Sequence, residues 1–239
     1  MSAWARAVYR STVSIVLFGL FGIGALLLAP LMLVLRKPER GQPVVRAAWR
    51  FITFLFVLTR LMRIERGNLA PLSGAVIAAS HPSLIDVVLL VSLVPRTLYV
   101  AKHALRRNPF LSAIVRATAL PDDATLPERA AAYLKDGWNV LIFPEGTRSP
   151  AEGGLQPLHR GAAQLALRTG APLACVRIDV SRRVLGKRQK PWDVGDRVVT
   201  YSFGMDVFPP RRTETASLRS AAAKLTEEMR TRLSARVLV

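Results

Sequence analysis

The sequence predicts an α/β domain: a central mixed sheet covered by helices, preceded by an N-terminal membrane-embedded helical segment. Three observations lead there. An uncharged apolar run fills residues 13–35. From about Asn68 onward, short apolar strand candidates alternate with helical patterns. Clusters of chemistry-bearing residues fall where two of those strands end.

The apolar run comes first. Val13 to Leu35 is long enough to cross about 30 Å of hydrocarbon. It exceeds the apolar core of a typical signal peptide, and no small-residue cleavage site ahead of a secreted-type domain follows it. Pro30 is expected to kink a helix here. Arg6 and Arg10 precede the run, whereas Arg36, Lys37, Arg40, Arg46 and Arg50 follow it. The heavier basic flank favours the cytoplasm for the C-terminal side. A second apolar run, Phe51 to Met62, is bracketed by Arg50, Arg60 and Arg63 and is too short to span. It reads as interfacial or buried. A single span ahead of a soluble domain and a monotopic hairpin dipping into one leaflet both fit. Residues 1–65 are thus expected to be membrane-anchoring helices, and residues 66–239 an α/β domain.

Within that domain, Ala75–Ala79 is a strand candidate ending at Ser80-His81-Pro82, and Leu84–Leu93 reads as a buried helix. Thr97–Ala101 is a second strand. Pro127–Asp136 is helical, with proline suited to the first turn and Gly137 at the end. Asn139–Phe143 is a strand, Arg160–Arg168 a helix stopped by Gly170, and Leu173–Ile178 another strand. Arg197–Phe203 is a late strand. Glu214–Leu233 is a helix with Leu218, Ala222, Leu225 and Met229 on one face. Strands alternating with helices indicate a covered sheet.

Composition narrows the function classes. The chain carries 34 Lys and Arg against 16 Asp and Glu, a formal charge of +18, which implies an anionic partner. Aromatic residues are 7% of the chain and most Phe lie in the apolar N-terminal region. No zinc-ligand spacing, RNA-recognition aromatic motif or basic helix with heptads accompanies the charge, so nucleic acid is disfavoured. Anionic lipid is the better match. The single cysteine, Cys175, excludes an intrachain disulfide. His81, His103 and His159 share no metal-ligand spacing.

Two segments can do chemistry. In His81-Pro82-Ser83-Leu84-Ile85-Asp86, a histidine leaves a strand and an aspartate follows one helical turn later. His81 can act as a base, with Asp86 holding the imidazole tautomer. No Gly-x-Ser-x-Gly elbow is present, so an acceptor's own hydroxyl would stand in for an enzyme serine. The second segment is Phe143-Pro144-Glu145-Gly146-Thr147-Arg148-Ser149, at another strand end. Arg148 can bind phosphate with two parallel hydrogen bonds. Gly146 permits close backbone approach, and Thr147 and Ser149 supply hydroxyls. Glu145 beside an anion site binds hydroxyls or orients Arg148.

Together these segments resemble the glycerolipid acyltransferase family, particularly the 1-acylglycerol-3-phosphate acyltransferases. His81 and Asp86 match its His-x4-Asp motif, and residues 143–149 match Phe-Pro-Glu-Gly-Thr-Arg-Ser at every position. Lys102, Leu105 and Pro109 look like its second block, and Arg160-Gly161-Ala162-Ala163 like the usual continuation. Ser80 stands where Asn is common, Ala119–Asp123 lacks a frequent Arg, and Cys175 replaces a usual Pro. The resemblance implies direct acyl transfer, without a covalent acyl-enzyme, from acyl-carrier protein or acyl-CoA to a lysophospholipid hydroxyl. It implies His81 and Asp86 as catalytic, and Glu145, Gly146, Thr147, Arg148 and Lys102 as substrate-binding. It requires no cofactor and no metal, and it places the chain at a bacterial inner membrane with the domain facing the cytoplasm. Glycerol 3-phosphate, a lyso-ornithine lipid or another lipid hydroxyl remain alternative acceptors, and a non-catalytic membrane scaffold is the rival from another class.

Overall fold

The computed structural model describes residues 2–35, 37–108, 111–150, 152–186, 189–210 and 217–235. Arg36, Pro109 and residues 214–216 of the expected last helix lie outside the described residues. In chain order the elements are α1 (Ala3–Val34), α2 (Pro38–Leu58), β1 (Met62–Glu65), β2 (Val76–Ala79), α3 (Asp86–Leu93) and β3 (Thr97–Ala101). There follow α4 (His103–Arg106), α5 (Ser112–Thr118), β4 (Ala119–Pro121), α6 (Leu126–Lys135) and β5 (Asn139–Ile142). The chain closes with α7 (Gly161–Thr169), β6 (Leu173–Val180), β7 (Val199–Phe208) and α8 (Leu218–Ser234).

The seven strands form the mixed sheet that the sequence predicts, in the order β1-β7-β6-β2-β5-β3-β4. The run from β6 to β4 is parallel; β7 is antiparallel to β6, and β1 pairs parallel with β7. Asn139 fixes where β5 enters. Its buried amide accepts from the Ala75 N–H and donates to the Leu72 and Pro95 carbonyls, tying the starts of three neighbouring strands. Side chains alternate across the pleat. Ile77, Ala79, Tyr99 and Leu141 join Trp49, Phe56, Leu89 and Ile114 from α2, α3 and α5 on one face. Val76, Ala78, Leu98, Val140 and Cys175 meet Ala130 and Leu134 of α6, Ala162 and Ala166 of α7, and Leu225 and Met229 of α8 on the other.

Local chemistry sets the helix ends. Ser2 and Ser217 cap α1 and α8, each accepting a backbone N–H three residues on. Gly170 ends α7 in the left-handed region, φ 69°, where a Cβ would be strained. Helix α1 continues through Pro30.

Helix α1 is the one helix among the described residues long and apolar enough to cross a membrane. Its first turns are nevertheless fastened to the domain by polar groups. Arg10, 4% exposed, donates to the carbonyls of Arg60, Leu61 and Gly195. Ser11 and Ser14 donate to the carbonyls of Trp192 and Pro191, and Arg6 pairs with Asp196. The other side of α1 bares Ile15, Val16, Leu20, Ile23, Leu27 and Leu31. The second apolar run is divided in the same way: Ile52 and Phe56 of α2 enter the core, whereas Phe51, Phe54 and Leu58 are exposed.

Candidate active site

Both chemistry-bearing segments leave the C-terminal ends of adjacent parallel strands, His81 two residues after β2 and Phe143 directly after β5. Ligands bind at this edge of an open α/β sheet because the connecting loops converge there. Lys102 follows β3 and Asp122 follows β4, so the same edge gathers four strand ends.

Asp86 is the first residue of α3, where free backbone N–H groups and the helix dipole favour a carboxylate. It is fully buried. Its Oδ2 lies 2.9 Å from His81 Nδ1 and accepts the Ser83 N–H at 2.7 Å. Its Oδ1 accepts the Ser83 hydroxyl at 2.6 Å. Ser83 Oγ in turn accepts from the Tyr201 hydroxyl of β7 at 3.1 Å. Burial and proximity to Asp86 push the Tyr201 phenol well above its ordinary range, so it serves as a donor. With Nδ1 facing Asp86, the imidazole keeps Nε2 for a substrate. Phe143 stacks on the ring, centroids 4.1 Å apart and 25° from coplanar, which fixes its plane.

The second segment clamps the first through the backbone. The His81 N–H points at Glu145 Oε1 (3.2 Å) and Ser149 Oγ (3.3 Å), while the His81 carbonyl accepts the Ser149 N–H at 2.8 Å. Glu145 is 3% exposed; Oε1 also accepts the Ser149 hydroxyl, and Oε2 accepts the Gln156 N–H. Its carboxylate therefore organises the loop from within and does not orient Arg148. Arg148 Nη1 donates to the carbonyls of Leu185 and Gly186, each at 2.9 Å, while Nε and Nη2 bond to none of the described residues. Ser80, 6% exposed, accepts the Ile178 N–H and stitches the end of β2 to β6.

A cleft of about 690 Å³ opens over this edge, lined by His81, Phe143, Gly146, Thr147 and, across from them, Lys102. Of the site residues expected from the sequence, His81, Gly146, Thr147 and Lys102 thus share one cleft. Asp86 stands behind His81, Glu145 is buried within the loop, and Arg148 is half-buried on the same loop outside the lining residues. A smaller apolar cavity of about 160 Å³, between Phe18, Trp49, Ile85 and Ile114, shares Val87, Tyr99 and Leu105 with the cleft.

Three residues of the site escaped sequence reading. Ser83 sits inside the first motif, and its signal is a hydroxyl three residues before the aspartate. Tyr201 had none, since β7 brings it from far along the chain. His159 lines the cleft beside Gly146, held by its N–H to the Pro144 carbonyl.

The chain is similar to known proteins in family and fold. A family model described as Acyltransferase matches residues 60–179. A 1-acyl-sn-glycerol-3-phosphate acyltransferase of Bacillus subtilis is 36% identical over 117 residues, covering 46% of this chain and 57% of the relative. Proteins of the same description from Cocos nucifera and Borreliella burgdorferi are 30% and 25% identical, covering 41% and 44% of this chain. The chain spans only 35% and 46% of those two relatives and 57% of the first. The crystal structure of PlsC, the 1-acyl-sn-glycerophosphate acyltransferase of Thermotoga maritima, superposes with a TM-score of 0.67 over 100% of both chains, at 20% identity. At that identity the likeness establishes a shared fold.

Proposed function

The chain belongs to the acyltransferase family, and on that premise we propose that it moves a fatty acyl group from acyl-carrier protein or acyl-CoA to the free hydroxyl of 1-acylglycerol 3-phosphate, making phosphatidic acid. The observation that carries the reading is the His81–Asp86 pair on a cleft that shares the wall residues Val87, Tyr99 and Leu105 with an apolar cavity. One side of the site suits a reacting hydroxyl and the other an acyl chain.

In this mechanism Nε2 of His81 takes the proton of the acceptor hydroxyl as its oxygen attacks the thioester carbonyl. Asp86, hydrogen-bonded to Nδ1, holds the tautomer and stabilises the imidazolium that forms. The tetrahedral intermediate expels the thiolate, and His81 returns the proton to that sulfur. The new ester and a free thiol result, with no enzyme-bound acyl group. Thr147 and the Gly146 backbone line the acceptor's path. Arg148 Nε and Nη2, together with Lys102, take its phosphate, and Glu145 holds their loop in shape. Cys175 is no candidate nucleophile: it is fully buried on β6, and burial pushes its thiol up to about 12.

The reading also assigns α1 and α2 a membrane-anchoring role. The boundary expected at residue 65 moves back to the end of α2, because Met62–Glu65 form β1 of the sheet and belong to the acyltransferase domain. The polar fastening of α1 to the 191–196 segment, and the exposed apolar faces of α1 and α2, support a monotopic seat in one leaflet over a free-standing span. The seat proposed is the cytoplasmic side of a bacterial inner membrane, where a lipid acceptor enters the cleft from the bilayer.

The test is lipid extraction and mass spectrometry after expression in a bacterial strain lacking its own lysophosphatidate acyltransferase. Accumulation of phosphatidic acid supports the assignment. Accumulation of a different acylated lipid reassigns the acceptor, and no new acylated lipid from a folded, membrane-bound protein contradicts acyl transfer.

A further inference from the structure

Beside the cleft lies a groove of about 420 Å³ lined by His103, Arg107, Arg116, Pro121, Asp123 and Arg129. The arginines come from three places: Arg107 follows α4, Arg116 lies on α5 and Arg129 on α6. All three are exposed, and none forms a hydrogen bond through its guanidinium or an ion pair with the described residues. Some arginines elsewhere in the chain are engaged. Arg177 pairs with Asp206, Arg232 with Glu228, and Arg96 donates to the Asp136 carbonyl. Three arginines against the single carboxylate of Asp123 leave the groove with a positive excess that attracts an anion, and guanidinium groups suit phosphate best because they bind it through paired N–H donors.

The groove meets the cleft at Asp123, which lines both, and Lys102 on the cleft side is the neighbour of His103 on the groove side. The apolar cavity shares Val87, Tyr99 and Leu105 with the same cleft. An acyl thioester has a matching layout. Its chain is apolar, its carbonyl reacts in the middle, and its pantetheine arm ends in phosphate. The bilayer is a weaker match for the groove. Exposed large apolar side chains concentrate on α1 and α2, while the described part of residues 102–135 exposes only Leu105.

We propose that the groove of Arg107, Arg116 and Arg129 binds the phosphate at the end of the acyl donor's pantetheine arm. The inference rests on the acyl-transfer reading for the identity of the donor. It assigns these arginines a role separate from acceptor binding by Arg148 and Lys102.

Equilibrium binding tests it without turnover. The full-length chain in neutral detergent is titrated with CoA, with holo acyl-carrier protein and with pantetheine lacking phosphate. The same titrations are made on a triple variant, Arg107→Gln, Arg116→Gln and Arg129→Gln, whose melting curve verifies folding. Phosphatidylglycerol vesicles serve as the lipid arm. The expected result is affinity for at least one phosphate-bearing carrier over pantetheine, reduced about tenfold or more in the variant, with vesicle binding unchanged. Affinity for neither carrier in the wild type, or equal affinity in the variant, overturns the proposal. So does a variant that keeps its carriers but loses the vesicles, since the groove then serves lipid headgroups. Carrier binding by a wild-type chain that transfers no acyl group counts against the reaction and leaves the groove standing.

Discussion

The phenolic hydroxyl of Tyr201 donates a 3.1 Å hydrogen bond to Oγ of Ser83, a residue 118 positions away in sequence and buried beside it. Ser83 passes the constraint to Asp86, and Asp86 to His81. Ser83→Ala leaves Asp86 Oδ1 without its hydroxyl donor in a buried site, a loss of about 1–3 kcal/mol, or roughly 5- to 150-fold in kcat. Tyr201→Phe removes a bond one step further out, worth about 0.5–1.5 kcal/mol, and lowers kcat by roughly 2- to 12-fold. Steady-state kinetics across pH check both. A positioning role predicts a changed pH profile with little change in KM. Wild-type profiles in both variants would reduce the chain to packing.

Gly146 has φ 62°, and a Cβ built there comes 3.1 Å from Cδ2 of the His159 ring. Gly146→Val therefore strains the backbone and displaces His159 from the cleft wall. The expected outcome is a severe loss of activity with a modest fall in melting temperature, since the site lies at the sheet's edge rather than in its core. Activity close to wild type would mean that the loop tolerates a reshaped turn.

Arg148→Ala should raise KM for a phosphate-bearing acceptor more than it lowers kcat, because charge-assisted bonds to phosphate contribute about 1.5–3 kcal/mol of binding. The carbonyls of Leu185 and Gly186 also lose their donor. Assays with phosphorylated and unphosphorylated acceptors separate the two effects. An increase confined to the phosphorylated acceptor supports a phosphate clamp, and an equal increase for both assigns Arg148 to loop support alone.

Local pattern carried much of this architecture. The apolar stretches around Ile77, Leu98, Leu141 and Val176 are short and bounded by turn residues, and each became a strand of the sheet. Asp86 five residues after His81, at the start of a helix, was legible as a pair because both ends are local. What escaped depends on distance or brevity. α4 and β4 span four and three residues, too few to display a period. β7 runs five residues beyond the expected Phe203, to Phe208, and β6 two beyond Ile178, because each extends by pairing with the other. The sequence leaves Glu145 to bind a ligand's hydroxyls or to orient Arg148. Nothing in Phe143–Ser149 says that its carboxylate is satisfied by Gln156 and the His81 N–H, which are distant in sequence.

Cys175 offers a check on the core. It lies on β6, paired with β2 and β7, its side chain fully buried in the cluster under α7 and α8, and desolvation raises the thiol from 9.0 to about 12. A thiol reagent at neutral pH should label it only on unfolding. Because the folded state holds this proton more tightly, the contribution is fully present below about 9.0 and is lost as pH rises toward about 12. Melting temperatures of wild type and Cys175→Ala should therefore converge as pH increases through that window. Rapid labelling of the native protein would contradict the burial.

The central claim is that His81 is the general base and Asp86 its orienting partner. Turnover of lysophosphatidate by purified, full-length protein tests it most directly, comparing wild type with His81→Ala and Asp86→Asn at matched folding. The account predicts that His81→Ala loses about 10²–10⁴-fold in kcat. Asp86→Asn should be severely impaired as well, since Nδ1 loses its negative partner and the tautomer is no longer fixed. Near-normal turnover by folded His81→Ala protein would contradict the account.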